Sequence, residues 1–136
     1  MLKNLKSKKK KRGFTLIELI IVMAIIAILS VLSIPKFGEI KRDANFKSDV
    51  ANAKTIANVT TTLLAEGATL ASPITVDSTL TTGNLIEESL QNTPKPKSNG
   101  YSSYTVNIDG KSNVIITMTD GSKTTNLFPL PDTEAK

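Results

Sequence analysis

The sequence contains no cysteine and no histidine among its 136 residues. Without cysteine the chain can form no disulfide, no thiolate metal site and no thiol nucleophile. Without histidine it lacks the commonest general base and the commonest zinc ligand, which excludes zinc chemistry and a Ser-His-Asp triad. Tryptophan is absent, and aromatic residues make up 4% of the chain. That is too little aromatic surface for the stacking platforms that bind single-stranded nucleic acid.

The positive charge of the chain is concentrated at its N-terminus. The whole sequence carries 17 Lys and Arg against 12 Asp and Glu, a net charge of +5. Seven of the basic residues lie in residues 1–13, which contain no acid, so the rest of the chain has a balance of −2. Because this basic leader precedes an apolar segment, a role in membrane topology is favoured over binding to nucleic acid or anionic lipid. No nucleic-acid partner is predicted.

Residues 14–34 are apolar except for Thr15, Glu18, Ser30 and Ser33. As a helix they span roughly 32 Å, which matches the hydrocarbon core of a bilayer at about 30 Å. The segment predicts a single membrane-spanning helix. The basic leader places its N-terminal end in the cytoplasm, with the chain that follows on the outer side of the membrane.

A secretory signal peptide and a plain signal anchor are alternative interpretations of this segment. A signal peptide has an apolar region of 7–15 residues and a small-residue cleavage site, whereas this run is longer and leads into a second helix. A plain anchor leaves Glu18 unexplained, because a carboxylate within a membrane helix costs about 3 kcal/mol on the insertion scale. The nearest opposite charges, Lys11 and Arg12, lie in the leader, so no partner for Glu18 is predicted within the chain.

Residues 35–67 predict an amphipathic helix that continues the first one. Pro35 should kink the helix without ending it, since the helical periodicity resumes at once. Gly67 is expected just beyond the end of the helix, at the C′ position. Apolar residues recur at helical spacing, whereas the charged residues are predicted largely on the other face. The apolar set is Phe46, Val50, Ala53, Ala57 and Leu64, and the charged set is Lys41, Arg42, Asp49 and Lys54.

Residues 68–136 predict a small β-rich cap, which makes the fold α+β. A short strand or extended loop is expected around Ile74, Val76 and Leu80, and one or two helical turns are expected within residues 84–91. Two Asp-Gly pairs, the strongest short hairpin signal, separate three strand-like runs and predict an antiparallel meander. The three runs are Tyr101–Ile108, Asn113–Thr119 and Lys123–Phe128.

The acidic residues of the cap give weaker signals. Adjacent residues on a helix do not face each other, so Glu87 and Glu88 are predicted on a solvated face and not as an acid–base pair. A calcium site formed by Asp109, Asp120 and Asp132 is an alternative, but two of these residues lie in turns that need no metal. No metal, cofactor or catalytic residue is predicted.

The junction between the leader and the apolar helix carries a specific motif. It reads Gly13-Phe14-Thr15-Leu16-Ile17-Glu18. After a short basic leader this motif resembles that of the type IV prepilins and the pseudopilins of type II secretion systems. Pro35 and a long N-terminal helix followed by a small antiparallel sheet agree with that family. The absence of a cysteine pair in the C-terminal region departs from many of its members.

The resemblance implies a function for each matching residue. Gly13 corresponds to the residue after which a prepilin peptidase cuts on the cytoplasmic side, and Phe14 to the new N-terminus, which the same enzyme methylates. Glu18 corresponds to the carboxylate that pairs with the N-terminal amine of an adjacent subunit. The expected partners are therefore the peptidase/methyltransferase, further copies of this chain and an assembly machinery.

The predicted function is that of a filament-subunit precursor without enzymatic activity. The protein is expected in the cytoplasmic membrane before assembly and in a surface or wall-spanning filament afterwards. One alternative is a pseudopilin of a type II secretion or DNA-uptake system. Another is a monomeric single-pass anchor that carries a small extracellular binding module.

Overall fold

The computed structural model describes residues 13–79 and 83–132. The predicted leader, apart from Gly13, lies outside the described residues, and so does Leu80 of the first predicted strand. The chain divides into two units, Met1–Gly38 and Glu39–Lys136. The elements in chain order are α1 (Leu16–Ala65), β1 (Ile74–Val76), α2 (Leu85–Ser89), β2 (Ser103–Ile108), β3 (Val114–Thr119) and β4 (Thr124–Phe128).

The predicted long helix is confirmed as the 50-residue helix α1, which ends as the sequence indicates. Gly67 adopts φ +85°, a conformation that glycine tolerates because it has no Cβ. Its amide N–H donates to the carbonyl of Leu64 at 3.1 Å, and that of Ala68 donates to the carbonyl of Leu63 at 2.9 Å. This pair of bonds is the Schellman motif, which satisfies carbonyls at the C-terminus of a helix.

Pro35 lies inside α1, as predicted. Its ring nitrogen carries no hydrogen, so the carbonyl four residues earlier, that of Val31, receives no helical bond from it. The kink expected at this position stays a prediction.

The core of the second unit forms between the C-terminal half of α1 and one face of the sheet. Small and branched side chains of the helix are fully buried there, and the predicted apolar positions Phe46, Val50 and Leu64 are partly buried beside them. The fully buried apolar residues of this core are Ala53, Ile56, Ala57, Val76, Ile86, Tyr104, Val106, Ile116, Met118 and Leu127. Their alternation along β2 and β3 follows from the two-residue period of a strand.

The four strands form one antiparallel sheet in the order β1-β2-β3-β4. The predicted meander is therefore confirmed. Both connecting loops are held by their aspartates. Asp109 accepts the amide N–H groups of Lys111 and Asn113 at 2.8 and 2.9 Å, and Asp120 accepts those of Ser122 and Lys123 at 2.8 and 2.6 Å. Gly121 adopts φ +95° in the second loop, whereas in the first loop the left-handed residue is Ser112 and not Gly110.

The outer edges of β1 and β4 are each bonded to a neighbouring segment. The carbonyl of Thr75 in β1 accepts from the Nδ2 atom of Asn84 at 3.0 Å. On β4, the amide N–H of Asn126 donates to the carboxylate of Asp132 at 2.9 Å, and the amide N–H of Asp132 donates to the carbonyl of Asn126 at 2.9 Å. The backbone groups at these two positions are thus unavailable to another strand.

Asp49 is fully buried, so its predicted place on the exposed polar face of the helix is wrong. Its carboxylate accepts the amide N–H groups of Lys97 and Ser98 at 2.7 and 2.8 Å. It also accepts the hydroxyl of Tyr104 at 3.0 Å, and Asn52 donates to that hydroxyl at 3.2 Å. The carboxylate is retained in the interior because it pairs with buried donors that would otherwise be unsatisfied.

Glu87 is also buried, with 2% of its surface exposed. Its predicted place on a solvated face is therefore wrong, whereas Glu88 is exposed as expected. The Oε1 atom of Glu87 accepts the amide N–H of Asp77 at 3.0 Å. This carboxylate joins the short helix α2 to the end of β1, a structural role for a charged residue.

Candidate functional site at the start of the long helix

The residues of the predicted cleavage site lie just before α1. The helix begins at Leu16, and Gly13, Phe14 and Thr15 precede it without helical structure. The side chain of Phe14 is 88% exposed. The Gly13–Phe14 peptide bond is thus outside the helix.

Thr15 and Glu18 form reciprocal hydrogen bonds around the first turn of α1. The amide N–H and the hydroxyl of Thr15 both donate to Oε2 of Glu18 at 2.8 Å. In return, the amide N–H of Glu18 donates to Oγ1 of Thr15 at 3.3 Å. This arrangement is a capping box, in which a Thr at the N-cap and a Glu three residues later satisfy backbone donors that the helix leaves open.

The capping box corrects the prediction that Glu18 has no partner within the chain. Its partner is Thr15, a neutral residue and not an opposite charge. The sequence signal was present, since Thr-x-x-Glu before an apolar run is the pattern of a capping box. A carboxylate offers about four acceptor positions. The two bonds from Thr15 therefore leave room for a further donor, such as an ammonium group.

The helix that follows Glu18 exposes apolar side chains on every side. Large side chains from Leu16 to Ile40 are exposed around its whole circumference, including Val22, the least exposed of them at 46%. By length and composition the helix is able to cross a membrane. The same test admits signal sequences and buried core helices, but here none of the tested segment is buried.

The two serines within the apolar segment are satisfied inside the helix. The hydroxyl of Ser30 donates to the carbonyl of Ile26 at 2.7 Å, and that of Ser33 donates to the carbonyl of Leu29 at 2.9 Å. Such bonds to the preceding turn give a hydroxyl a partner where no water is available. These two serines are thus compatible with lipid.

The acidic residues of the cap do not come together as a metal site. Asp109 lies in the loop between β2 and β3, whereas Asp120 lies in the loop between β3 and β4. In an antiparallel meander these loops are at opposite ends of the sheet, and Asp132 is bonded to Asn126. A calcium site built from all three is therefore wrong. Among the described residues there is no group of three potential acidic metal ligands.

Comparison with known proteins gives matches at the N-terminus and along most of the chain. Residues 8–34 match the family described as the prokaryotic N-terminal methylation motif. The chain is 32% identical over 122 residues to prepilin peptidase-dependent protein A of Clostridium perfringens strain 13, and the match covers 80% of this chain and 86% of that protein. No solved structure matches the chain.

Proposed function

This chain belongs to the family of type IV prepilins and related pseudopilins, and on that premise we propose that it is the precursor of a filament subunit. The proposal is carried by one observation. An apolar helix exposed on every side carries an acidic residue, Glu18, in its first turn and within the family's motif. The chain acts in this proposal as a structural subunit and not as an enzyme.

The first step is removal of the basic leader after Gly13. The Clostridium relative is named for its dependence on prepilin peptidase, and we extend that dependence to this chain. Cleavage frees the α-amino group of Phe14, which the peptidase then methylates. Methylation leaves the positive charge in place. Before cleavage, residues 14–34 hold the precursor in the cytoplasmic membrane with the leader inside.

The second step is assembly through the apolar helix. A helix that leaves the bilayer must exchange lipid contacts for contacts with other helices of equal apolarity. Copies of this chain supply such helices to one another. Glu18 then pairs with the ammonium group at Phe14 of a neighbouring copy, and this charge pairing is more favourable in an apolar filament core than an unpaired carboxylate.

The processing step is tested by mass spectrometry of the exported protein. We expect a mature N-terminal peptide that begins with N-methylated Phe14, recovered from filaments sheared from cells. An exported protein that still carries Met1 and the leader would contradict the proposal. A mature N-terminal Phe14 without methylation would exclude the methylation step and leave the cleavage step supported.

The assembly step is tested by Glu18→Gln, which removes the charge and keeps an acceptor oxygen. We expect normal membrane insertion and leader removal, with at least a tenfold loss of sheared filaments. Glu39→Gln is the matched control, since Glu39 lies on the same helix and is exposed. Wild-type filament yield from Glu18→Gln would exclude the charge-pairing role.

A pseudopilin of a secretion or DNA-uptake system is the second candidate, because the family includes both kinds of subunit. Deletion of the gene distinguishes them. Loss of surface fibres alone supports a pilus subunit, whereas loss of protein export or of DNA uptake supports a pseudopilin. The full chain recovered as a monomer in the membrane, with its leader intact, would instead support the anchored binding module.

A further inference from the structure

We propose that the capping box of Thr15 and Glu18 is a helix stop, which keeps the Gly13–Phe14 peptide bond outside α1 and accessible to the peptidase. This inference rests on the proposed function, since it concerns the same cleavage. It assigns to Thr15 a positioning role in processing, and to Glu18 a role that precedes assembly.

The hydrogen bonds of the first turn show how the stop works. The carbonyl of Thr15 accepts the amide N–H of Leu19 at 3.3 Å, which is the first helical bond. Extension of the helix by one residue would require the amide N–H of Glu18 to donate to the carbonyl of Phe14. That N–H donates instead to the hydroxyl of Thr15.

The carboxylate of Glu18 opposes extension at the same point. It holds the amide N–H and the hydroxyl of Thr15 in the N-cap geometry, in which the backbone of the capping residue is not helical. A further step of extension would place the carbonyl of Gly13, which belongs to the scissile bond, in a hydrogen bond to the amide N–H of Ile17. The capping box therefore makes Thr15 the first residue whose carbonyl accepts a helical bond, two residues after Gly13, and keeps the scissile bond outside the helix.

The leader sequence makes such a stop necessary. The leader immediately before Gly13 consists of lysine and arginine, which have high helix propensity. Glycine opposes a helix by only about 1 kcal/mol relative to alanine. Extension also stabilises an uncapped helix in lipid, because it gives hydrogen-bond partners to N–H groups that have no water to bind. A peptide bond inside a helix is cleaved only when the helix opens.

The test measures leader removal from full-length precursor in detergent micelles by purified prepilin peptidase. Thr15→Val keeps the shape of the side chain and removes the hydroxyl. Its kcat/KM should fall up to about fivefold, the factor that corresponds to a loss of about 1 kcal/mol for an N-cap. Thr15→Ser keeps the hydroxyl and should restore the wild-type rate.

Two substitutions of Glu18 separate the cap from the charge. Glu18→Gln retains a side chain that functions at this position of a capping box, so its precursor should be cleaved at close to the wild-type rate. Glu18→Ala should be slowed like Thr15→Val. Ser30→Ala is the control, because it removes a hydroxyl bond in the same helix away from the box.

Amide hydrogen exchange of Ile17 provides a second readout that does not depend on the peptidase. In Thr15→Val we expect slower exchange at Ile17, since its N–H enters a helical bond to the carbonyl of Gly13, whereas general loss of structure would make exchange faster. Wild-type cleavage and exchange in Thr15→Val, or equal slowing in Thr15→Ser, would overturn the helix stop. A wild-type precursor that is not cleaved at all would overturn the proposed function and this inference together.

Discussion

At the scale of single residues, Asp49 holds the connector before β2 against the long helix. Its carboxylate accepts two backbone N–H groups and one hydroxyl, all within 3.0 Å. Bonds to a charged acceptor contribute more than neutral ones, and loss of the acceptor leaves buried donors unpaired. The attachment of residues 97–98 to α1 therefore depends strongly on this carboxylate.

Asp49→Asn should destabilise the second unit by about 2 kcal/mol, because one acceptor oxygen is replaced by an NH₂ group that faces other donors. Amide hydrogen exchange of β2 and β3 in the full chain measures the change. Asp43→Asn is the matched control on the exposed surface of the same helix. Its ion pair with Lys47 is an exposed one, worth a few tenths of a kcal/mol at most. Equal losses of stability in the two variants would contradict the role of Asp49 in holding residues 97–98 against α1.

Tyr104 makes the stability of this unit sensitive to alkali. Burial raises the pKa of its phenol, and the neighbouring Asp49 adds to the effect. Because the folded state disfavours the phenolate, the contribution is present below the ordinary pKa of about 10 and is lost as the pH rises above it.

The thermal midpoint of the wild-type chain should therefore fall between pH 9 and pH 11 in scanning calorimetry, more steeply than that of Tyr104→Phe. The variant should be less stable than the wild type at pH 7, where it lacks the hydroxyl bond to Asp49. Parallel curves for the two proteins across this range would show that Tyr104 is not responsible.

At the scale of elements, the helix and the hairpins could be predicted from local sequence patterns. The hydrogen bonds that Asp49 makes to distant parts of the chain could not. Gly67 and the two Asp-Gly pairs act through bonds within a few residues, so the sequence near them was sufficient. The partners of Asp49 lie 48 to 55 residues away, beyond any local pattern. Its position was nevertheless informative, because it is three residues after Phe46 and four before Ala53, on the apolar face of the helix.

The loop between β2 and β3 depends on the carboxylate of Asp109. Hydrogen bonds from the side chain and the backbone of Asn113, with one from the amide of Lys111, hold the pKa of Asp109 below its ordinary value. The depressed pKa means that its contribution to stability is present above about pH 4 and is lost as the pH falls further.

Asp109→Ala should lower the thermal midpoint at pH 7 and lower it less at pH 2, because the contribution of the ionised carboxylate is lost as the pH falls through its folded-state pKa. Lys111→Ala is the control, since Lys111 contributes its backbone N–H and not its side chain. An equal loss of stability in Asp109→Ala at pH 7 and pH 2 would contradict a role for the ionised carboxylate.

At the scale of the whole molecule, the proposed cleavage reverses the sign of the net charge. The full sequence carries +5, whereas the side chains after Gly13 sum to −2. At pH 7 the precursor should bind a cation exchanger and the processed chain should pass through it. The control is precursor that has not been treated with the peptidase. Binding of the processed chain to the cation exchanger would show that the leader is not the source of the positive charge.

The bonded positions on the two outer edges of the sheet affect how chains in the proposed filament could associate and separate. In a filament every subunit faces others at a very high local concentration, and exposed strand edges would then join into cross-β contacts of great kinetic stability. With the edges of β1 and β4 bonded within their own chain at Thr75 and Asn126, association through the sheet is disfavoured. Contacts between apolar helices, which can return to lipid, are by comparison reversible. In the proposed filament, such a chain would suit a polymer that assembles from a membrane pool and returns to it.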